Sequence, residues 1–190
     1  GAETRRAVRA FQRELGYDET ASLTPRQTAQ LMCHAAQTAR DPGVQNVLGI
    51  VHAVGLGVVQ NTDLALEWLE MAAVRGDADA NFNLAVIYGT GAVFGSYRLC
   101  AIVENPERAD AYLRDAAELG HGLARRFRST PELTSAPNAH VRWARIREEI
   151  EEEAASEPGR GARAMEILRN AMRARVPPAH AGCLDANASR

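Results

Sequence analysis

The chain predicts an all-α fold, a short α-solenoid of helical hairpins with further helices closing both ends. Three observations carry this expectation. Ala, Leu, Glu and Arg dominate the composition, and no alternating β-branched run occurs. Apolar residues recur at spacings of three and four, the mark of one-faced helices. A unit of helix, glycine turn and helix occurs twice in succession, so one hairpin can bury its face against the next.

The first helix shows Val8, Phe11 and Leu15 on one face, and Gly16 can end it in the left-handed conformation. Thr24-Pro25-Arg26-Gln27 then starts a second helix: Thr24 caps the free amides, Pro25 suits the first helical position, and Gln27 reaches back. That helix runs to about Arg40 and stops at Asp41-Pro42-Gly43.

The repeat follows. Leu48-Gly49-Ile50-Val51-His52, a turn at Gly55-Leu56-Gly57-Val58, and a helix through Ala65, Trp68, Leu69, Ala72 and Ala73 form the first copy. Leu84-Ala85-Val86-Ile87-Tyr88, a turn beginning Gly89-Thr90-Gly91, and a helix through Ala109, Tyr112, Leu113, Ala116 and Ala117 form the second. Leu84 stands 36 residues after Leu48, and Tyr112 stands 44 after Trp68. The second copy thus carries eight extra residues between its helices, around Gly95 to Ile102. Small residues (Gly49, Ala72, Ala73, Ala85, Ala116, Ala117) mark close backbone approaches, and large ones (Leu48, Trp68, Leu69, Leu84, Tyr88, Tyr112, Leu113) fill the space between helices.

Beyond the repeat, Phe127 to Pro137 is rich in Ser, Thr and Pro and reads as a loop. A long helix after Pro137-Asn138 presents Trp143, Ile146 and Ile150 on one face, and Glu157-Pro158-Gly159 breaks it. A last helix over about 160–175, with Met165, Leu168 and Met172 inward, precedes a loose tail from Pro177. The expected organisation is a helical pair at 1–41, two repeats at 42–127, capping helices at 128–176 and a tail at 177–190.

Composition narrows the chemistry. The net charge is −2, so no global basic field recruits nucleic acid or anionic lipid. No apolar run is long enough to span a membrane. All 22 basic residues are arginine, which excludes Schiff-base and other lysine chemistry. Charge comes in blocks: residues 41–127 hold six arginines against eleven acids, and residues 148–157 hold six acids. Such blocks suit helix faces that pair locally. Cys33, Cys100 and Cys183 are too few for a disulfide framework; they read as small buried hydrophobes, with one disulfide in an exported protein as the alternative.

The repeat resembles the Sel1-like repeat, a relative of the tetratricopeptide repeat, over residues 44–124. The Leu-Gly-x-x-Tyr element of that family appears as Leu48-Gly49-x-x-His52 and Leu84-Ala85-x-x-Tyr88. Its turn appears at Gly55 to Val58, its Ala-x-x-Trp-x-x-x-Ala-Ala helix at Ala65 to Ala73, and its Gly-His ending at Gly120-His121. The second copy departs through its insertion and through Gly91-Ala92-Val93 at the turn. Residues 4–31, with Arg5, Arg6, Phe11, Gln12 and Leu23-Thr24-Pro25, resemble the latter half of a small three-helix peptidoglycan-binding domain, though an Asp-Gly before its last helix is replaced by Asp18 to Ser22.

Candidate chemistry is sparse. The Gly-x-Gly turns lack the preceding strand and following helix of a phosphate loop. His121 falls at the structural Gly-His position of the repeat, and His52 replaces the repeat aromatic as half-buried packing. Cys33-His34 with His180 and Cys183 could supply four zinc ligands in number, but adjacent Cys-His is an awkward chelate, so no metal is expected. Glu148 to Glu153 spread around a helix as a solvated face, and no nucleophile setting exists, so no catalytic residue and no cofactor is expected. Arg125, Arg126 and Arg128, and Arg142, Arg145 and Arg147, are two short basic patches read as helix-end charge and partners of glutamates.

The resemblance implies a non-catalytic scaffold or adaptor for protein–protein interaction, holding a protein or peptide on the concave face lined by the first helix of each repeat. Asn46, Ile50, Asn83 and Ile87 are the expected contact residues there. The weaker resemblance implies a bacterial cell-envelope setting, periplasmic or exported, with peptidoglycan as a possible ligand. The alternative is a peptidoglycan-binding wall module or the regulatory tail of a larger envelope enzyme. The start at Gly1-Ala2-Glu3 is read as a trimmed end, with the original address outside this sequence.

Overall fold

A computed structural model describes residues 1–38, 40–55, 58–93, 97–99 and 102–156. Helix α1 (Ala2–Glu14) is followed by α2 (Pro25–Thr38), α3 (Pro42–Val54), α4 (Thr62–Val74) and α5 (Ala78–Thr90). A two-stranded hairpin, β1 (Ala92–Val93) and β2 (Tyr97–Arg98), leads into α6 (Pro106–Glu118), α7 (Gly122–Ser129), α8 (Pro131–Thr134) and α9 (Ala139–Ser156). The expected last helix at 160–175 with Met165, Leu168 and Met172, the tail from Pro177, the turn residues Leu56 and Gly57, and Cys100, His180 and Cys183 lie outside the described residues.

The helix starts are written in short polar side chains. Thr24 and Gln27 form the predicted reciprocal cap: the Gln27 N–H donates to Thr24 Oγ1 at 3.2 Å and the Thr24 N–H to Gln27 Oε1 at 3.0 Å. Asp41 and Asp77 cap α3 and α5 by accepting from the Val44 and Ala80 N–H groups. Asn61 and Asn105 cap α4 and α6 by accepting from Leu64 and Arg108. At α7 the cap is His121, whose Nδ1 accepts from the Ala124 N–H at 3.3 Å.

The two hairpins, α3–α4 and α5–α6, repeat in detail. Gly55 and Gly91 end their first helices at φ +68° and +70°, where a side chain would be strained. Each hairpin is then tied by one backbone bond, from the Asn61 N–H to the His52 carbonyl and from the Asn105 N–H to the Tyr88 carbonyl. Gly49 permits the close approach of α3 and α4, since a Cβ there would lie 2.5 Å from Leu69 Cγ. The junctions between hairpins share a second device. Gln45 Nε2 donates to the Ala36 carbonyl, Asn81 Nδ2 to the Ala73 carbonyl and Arg125 Nε to the Ala117 carbonyl. Helices α2 and α7 therefore stand toward the repeats as a preceding second helix and a following first helix.

The main core runs through Leu69, Ala72, Leu84, Ile87, Leu113, Phe127, Leu133, Trp143 and Ile146. A second cluster joins Cys33 and Ala36 of α2 to Leu48 and Trp68. Cys33 is buried and disulfide-bonded. The predicted faces of α9 and of the hairpins are largely buried, with Ala73, Tyr112, Ala117 and Ile150 half-buried.

Three local expectations are corrected. The Ser/Thr/Pro stretch after Phe127 is not an open loop: α7 continues to Ser129, and α8 turns Leu133 into the core at 1% exposure. Pro131 at the first helical position makes that short turn possible. The insertion in the second repeat contains a β-hairpin, Ala92 pairing with Arg98 and Val93 with Tyr97, and it buries Ala92, Val93 and Leu99. His52 is fully buried rather than half-buried, and its Nδ1 finds no hydrogen-bond partner among the described residues.

Candidate functional site

The first helices of the hairpins, where the resemblance places the concave face, are unequally exposed along their length. On α3, Val47 is 47% exposed, and Asn46, Ile50 and Val54 are half-buried. On α5 only the first turns reach solvent: Asp79 is exposed, while Phe82 and Asn83 are half-buried. From Leu84 to Val93 every residue is buried. Helices α4, α6 and α9 and strand β1 all pack against α5. At Gly89, Trp143 of α9 fills the space a side chain would need.

This places the four expected contact residues. Asn46, Ile50 and Asn83 share the open strip, and Asn83 Nδ2 donates to Asn46 Oδ1 at 2.9 Å. Ile87 is a correction: it is 0% exposed and belongs to the main core. The strict repeat offset does not rescue this position, because the counterpart of Ile50 is Val86, itself buried at 6% exposure. Leu48 and Leu84 are 36 residues apart, so Asn46 corresponds to Phe82 and Ile50 to Val86; pairing Asn46 with Asn83 and Ile50 with Ile87 steps one residue further, about 100° around a helix. Val47, Asp79 and Phe82 were missed. The strict offset would have found Phe82, as the counterpart of Asn46.

Two clusters flank the strip. Phe82 stacks on His121 with ring centroids 4.0 Å apart, and His121 Nε2 lies 3.6 Å from Asp79. Burial lowers the His121 pKa, and Asp79 opposes this in part. Where the repeats meet, the Tyr88 hydroxyl donates to Glu70 at 3.1 Å, and Arg108 donates to the same carboxylate at 2.6 Å. Arg108 also sits 4.2 Å above the Tyr88 ring. Burial, with Glu70 adding to it, raises the Tyr88 pKa to about 12. This cluster acts as a clasp between α4, α5 and α6.

The basic patches are likewise engaged internally. Arg142 pairs with Asp110 and donates to the Leu133 carbonyl, Arg145 donates to the Glu132 carbonyl, and Arg147 pairs with Glu104 at 2.8 Å. Arg125 donates to the Ala117 carbonyl, Arg126 lies over the Phe127 ring, and Arg128 approaches Glu118 at 4.0 Å. Cys33, counted among possible zinc ligands, has its sulfur in a disulfide, while His34 is exposed.

On α1, Val8 and Phe11 are only half-buried and Leu15 is 47% exposed. Gln12 is the exception. It is fully buried, donating to Thr20 Oγ1, the Ser22 carbonyl and Gln27 Oε1 while accepting from the Ala21 N–H, so one side chain organises the turn between α1 and α2.

These features define a helical-repeat protein whose open surface is a narrow strip on two first helices. Residues 43–77 and 78–121 each match the family model for the Sel1 repeat, together less than half of the chain. The chain therefore contains two Sel1 repeats, a module that generally mediates protein–protein interaction and is typically non-catalytic. A solved structure, "Crystal structure of Sel1 repeat protein from Oxalobacter formigenes", is similar at 23% identity with a TM-score of 0.46. The match covers 65% of this chain and 45% of that one, so the chain spans less than half the length of that structure. No curated protein shows significant similarity. Among the described residues, no helix is long and apolar enough to cross a membrane.

Proposed function

We propose that this chain is a non-catalytic scaffold that holds a protein or peptide partner on the strip formed by α3 and the first turns of α5. The observation that carries the reading is the strip itself: Asn46, Val47, Ile50, Asp79 and Asn83 keep accessible surface on the two first helices, while α5 from Leu84 onward is buried. An amphipathic strip of half-buried aliphatic and amide groups, with the exposed Asp79 carboxylate at its end, suits a partner chain.

The test is photo-crosslinking in cells of the source organism. A photoreactive residue at Val47 is expected to capture a discrete partner, lost when Asn46, Ile50 and Asn83 are changed to Ala in a protein that still melts cooperatively. Capture unchanged by the triple change rejects the strip.

The setting we propose is the bacterial envelope, periplasmic or exported. The Cys33 disulfide supports an oxidising compartment. The exposed apolar side of α1, beside Arg5, Arg6 and Arg9, supports a second reading in which residues 1–41 contact peptidoglycan. Co-sedimentation with purified sacculi, lost on deleting residues 1–40, is the outcome that reading requires.

A further inference from the structure

The contact between Asn46 and Asn83 leaves a specific remainder. A primary amide offers two N–H donors and a carbonyl oxygen with two lone pairs. With Asn83 Nδ2 donating to Asn46 Oδ1 at 2.9 Å, the Asn46 N–H groups and the Asn83 carbonyl have no partner among the described residues. Reversing both amides leaves the same complement, one outward donor beside one outward acceptor. A residue in an extended peptide presents its own N–H and C=O toward the same side and satisfies both on a neighbour that offers an acceptor and a donor. The amide pair makes that offer from two helices, across the boundary between the repeats.

The surroundings select the peptide. On the α3 side, Val47 is 47% exposed and Ile50 half-buried, an apolar seat. On the α5 side, Asp79 lies one turn before Asn83, with its side chain 72% exposed. Asp79 is not isolated. The Asp77 carboxyl is pushed up by burial, with Asp79 and Asp41 adding to it, so three acids share one field at the starts of α3 and α5. Arg75, the nearby cation, is turned to Gln45 and the Met71 carbonyl, and His121, 3.6 Å from Asp79, is disfavoured as a cation by its burial.

We propose that Asn46 and Asn83 form a main-chain clamp for an extended peptide that sets an apolar side chain against Val47 and Ile50 and a basic side chain against Asp79. The proposal rests on the scaffold reading and adds the chemistry of the occupant.

The test pans the full chain against a phage-displayed random dodecapeptide library and measures the selected peptide by fluorescence anisotropy. Asn46→Asp is the informative variant. Its carboxylate still accepts from Asn83 Nδ2, so the bond between repeats survives, but the outward N–H donors are gone. The expected result is an apolar–basic consensus, an affinity about tenfold weaker for Asn46→Asp at unchanged melting temperature, and a similar loss for the peptide methylated at one backbone nitrogen. Asp79→Asn is expected to weaken binding severalfold, and less so in high salt.

A selected peptide indifferent to Asn46→Asp and to backbone methylation overturns the clamp and leaves the scaffold reading standing. Failure to select any peptide also overturns the clamp, while the scaffold reading is judged by the cross-linking at Val47.

Discussion

Gly89 and Trp143 meet where α9 packs on α5: a Cβ placed on Gly89 would fall 2.0 Å from the indole Cε3. The indole cannot easily yield, because its Nε1 donates to Asp110 Oδ1 at 2.9 Å and its ring is 1% exposed. Gly89→Ala should therefore destabilise the protein although alanine is the better helix former. The helix gain is about 1 kcal/mol, and overpacking a filled core costs about 1–3 kcal/mol or more. A net loss of about 1–2 kcal/mol in urea unfolding is expected; a gain would mean that α9 does not dock on α5.

Trp68 and Leu84 test the hairpin cores. Leu84 is fully buried and Trp68 is 6% exposed. Truncation of either to Ala should cost about 2–5 kcal/mol. Trp68→Phe should cost far less, because among the described residues the Trp68 Nε1 makes no hydrogen bond that could be lost. Chemical denaturation of the three variants decides this, and equal losses for Trp68→Ala and Trp68→Phe would contradict the packing.

Acid should weaken the fold through two histidines. Burial lowers the pKa of His52 and of His121 below the ordinary 6.5, with Asp79 opposing the shift at His121. The unfolded chain then binds these protons more readily than the folded one. Their contribution is fully present above pH 6.5 and is lost as pH falls through the depressed folded values. At His121 the loss is local, since a protonated Nδ1 no longer accepts from the Ala124 N–H. Asn at 121 retains a capping oxygen, so unfolding free energies measured from pH 7.5 to 5 should fall less steeply for His121→Asn than for the parent.

The disulfide at Cys33 makes stability redox-dependent. With three cysteines in the chain, denatured protein should titrate one thiol without reductant and three with it. Reduction should lower the unfolding free energy by about 2–4 kcal/mol. Three free thiols before reduction would remove both the bond and its support for an oxidising compartment.

The sequence by itself determined the helices and their pairing. Caps such as Thr24, Asp41, Asn61, Asp77 and Asn105 are local, since a side chain three residues from an amide finds it whatever the rest of the chain does. The small residues at Gly49 and Ala72 announce close approaches, and the spacing of Leu48 and Leu84 announces the repeat. Tertiary structure alone decided which side of each first helix stays open. The repeat pattern places Ile87 on the surface, yet in the folded chain it is 0% exposed within the main core, which α9 joins through Trp143 and Ile146. Only the folded chain joins Asn46 to Asn83, 37 residues apart, and leaves His52 buried with an unmatched nitrogen. Such outcomes depend on long-range burial, for which periodicity along one helix carries no signal.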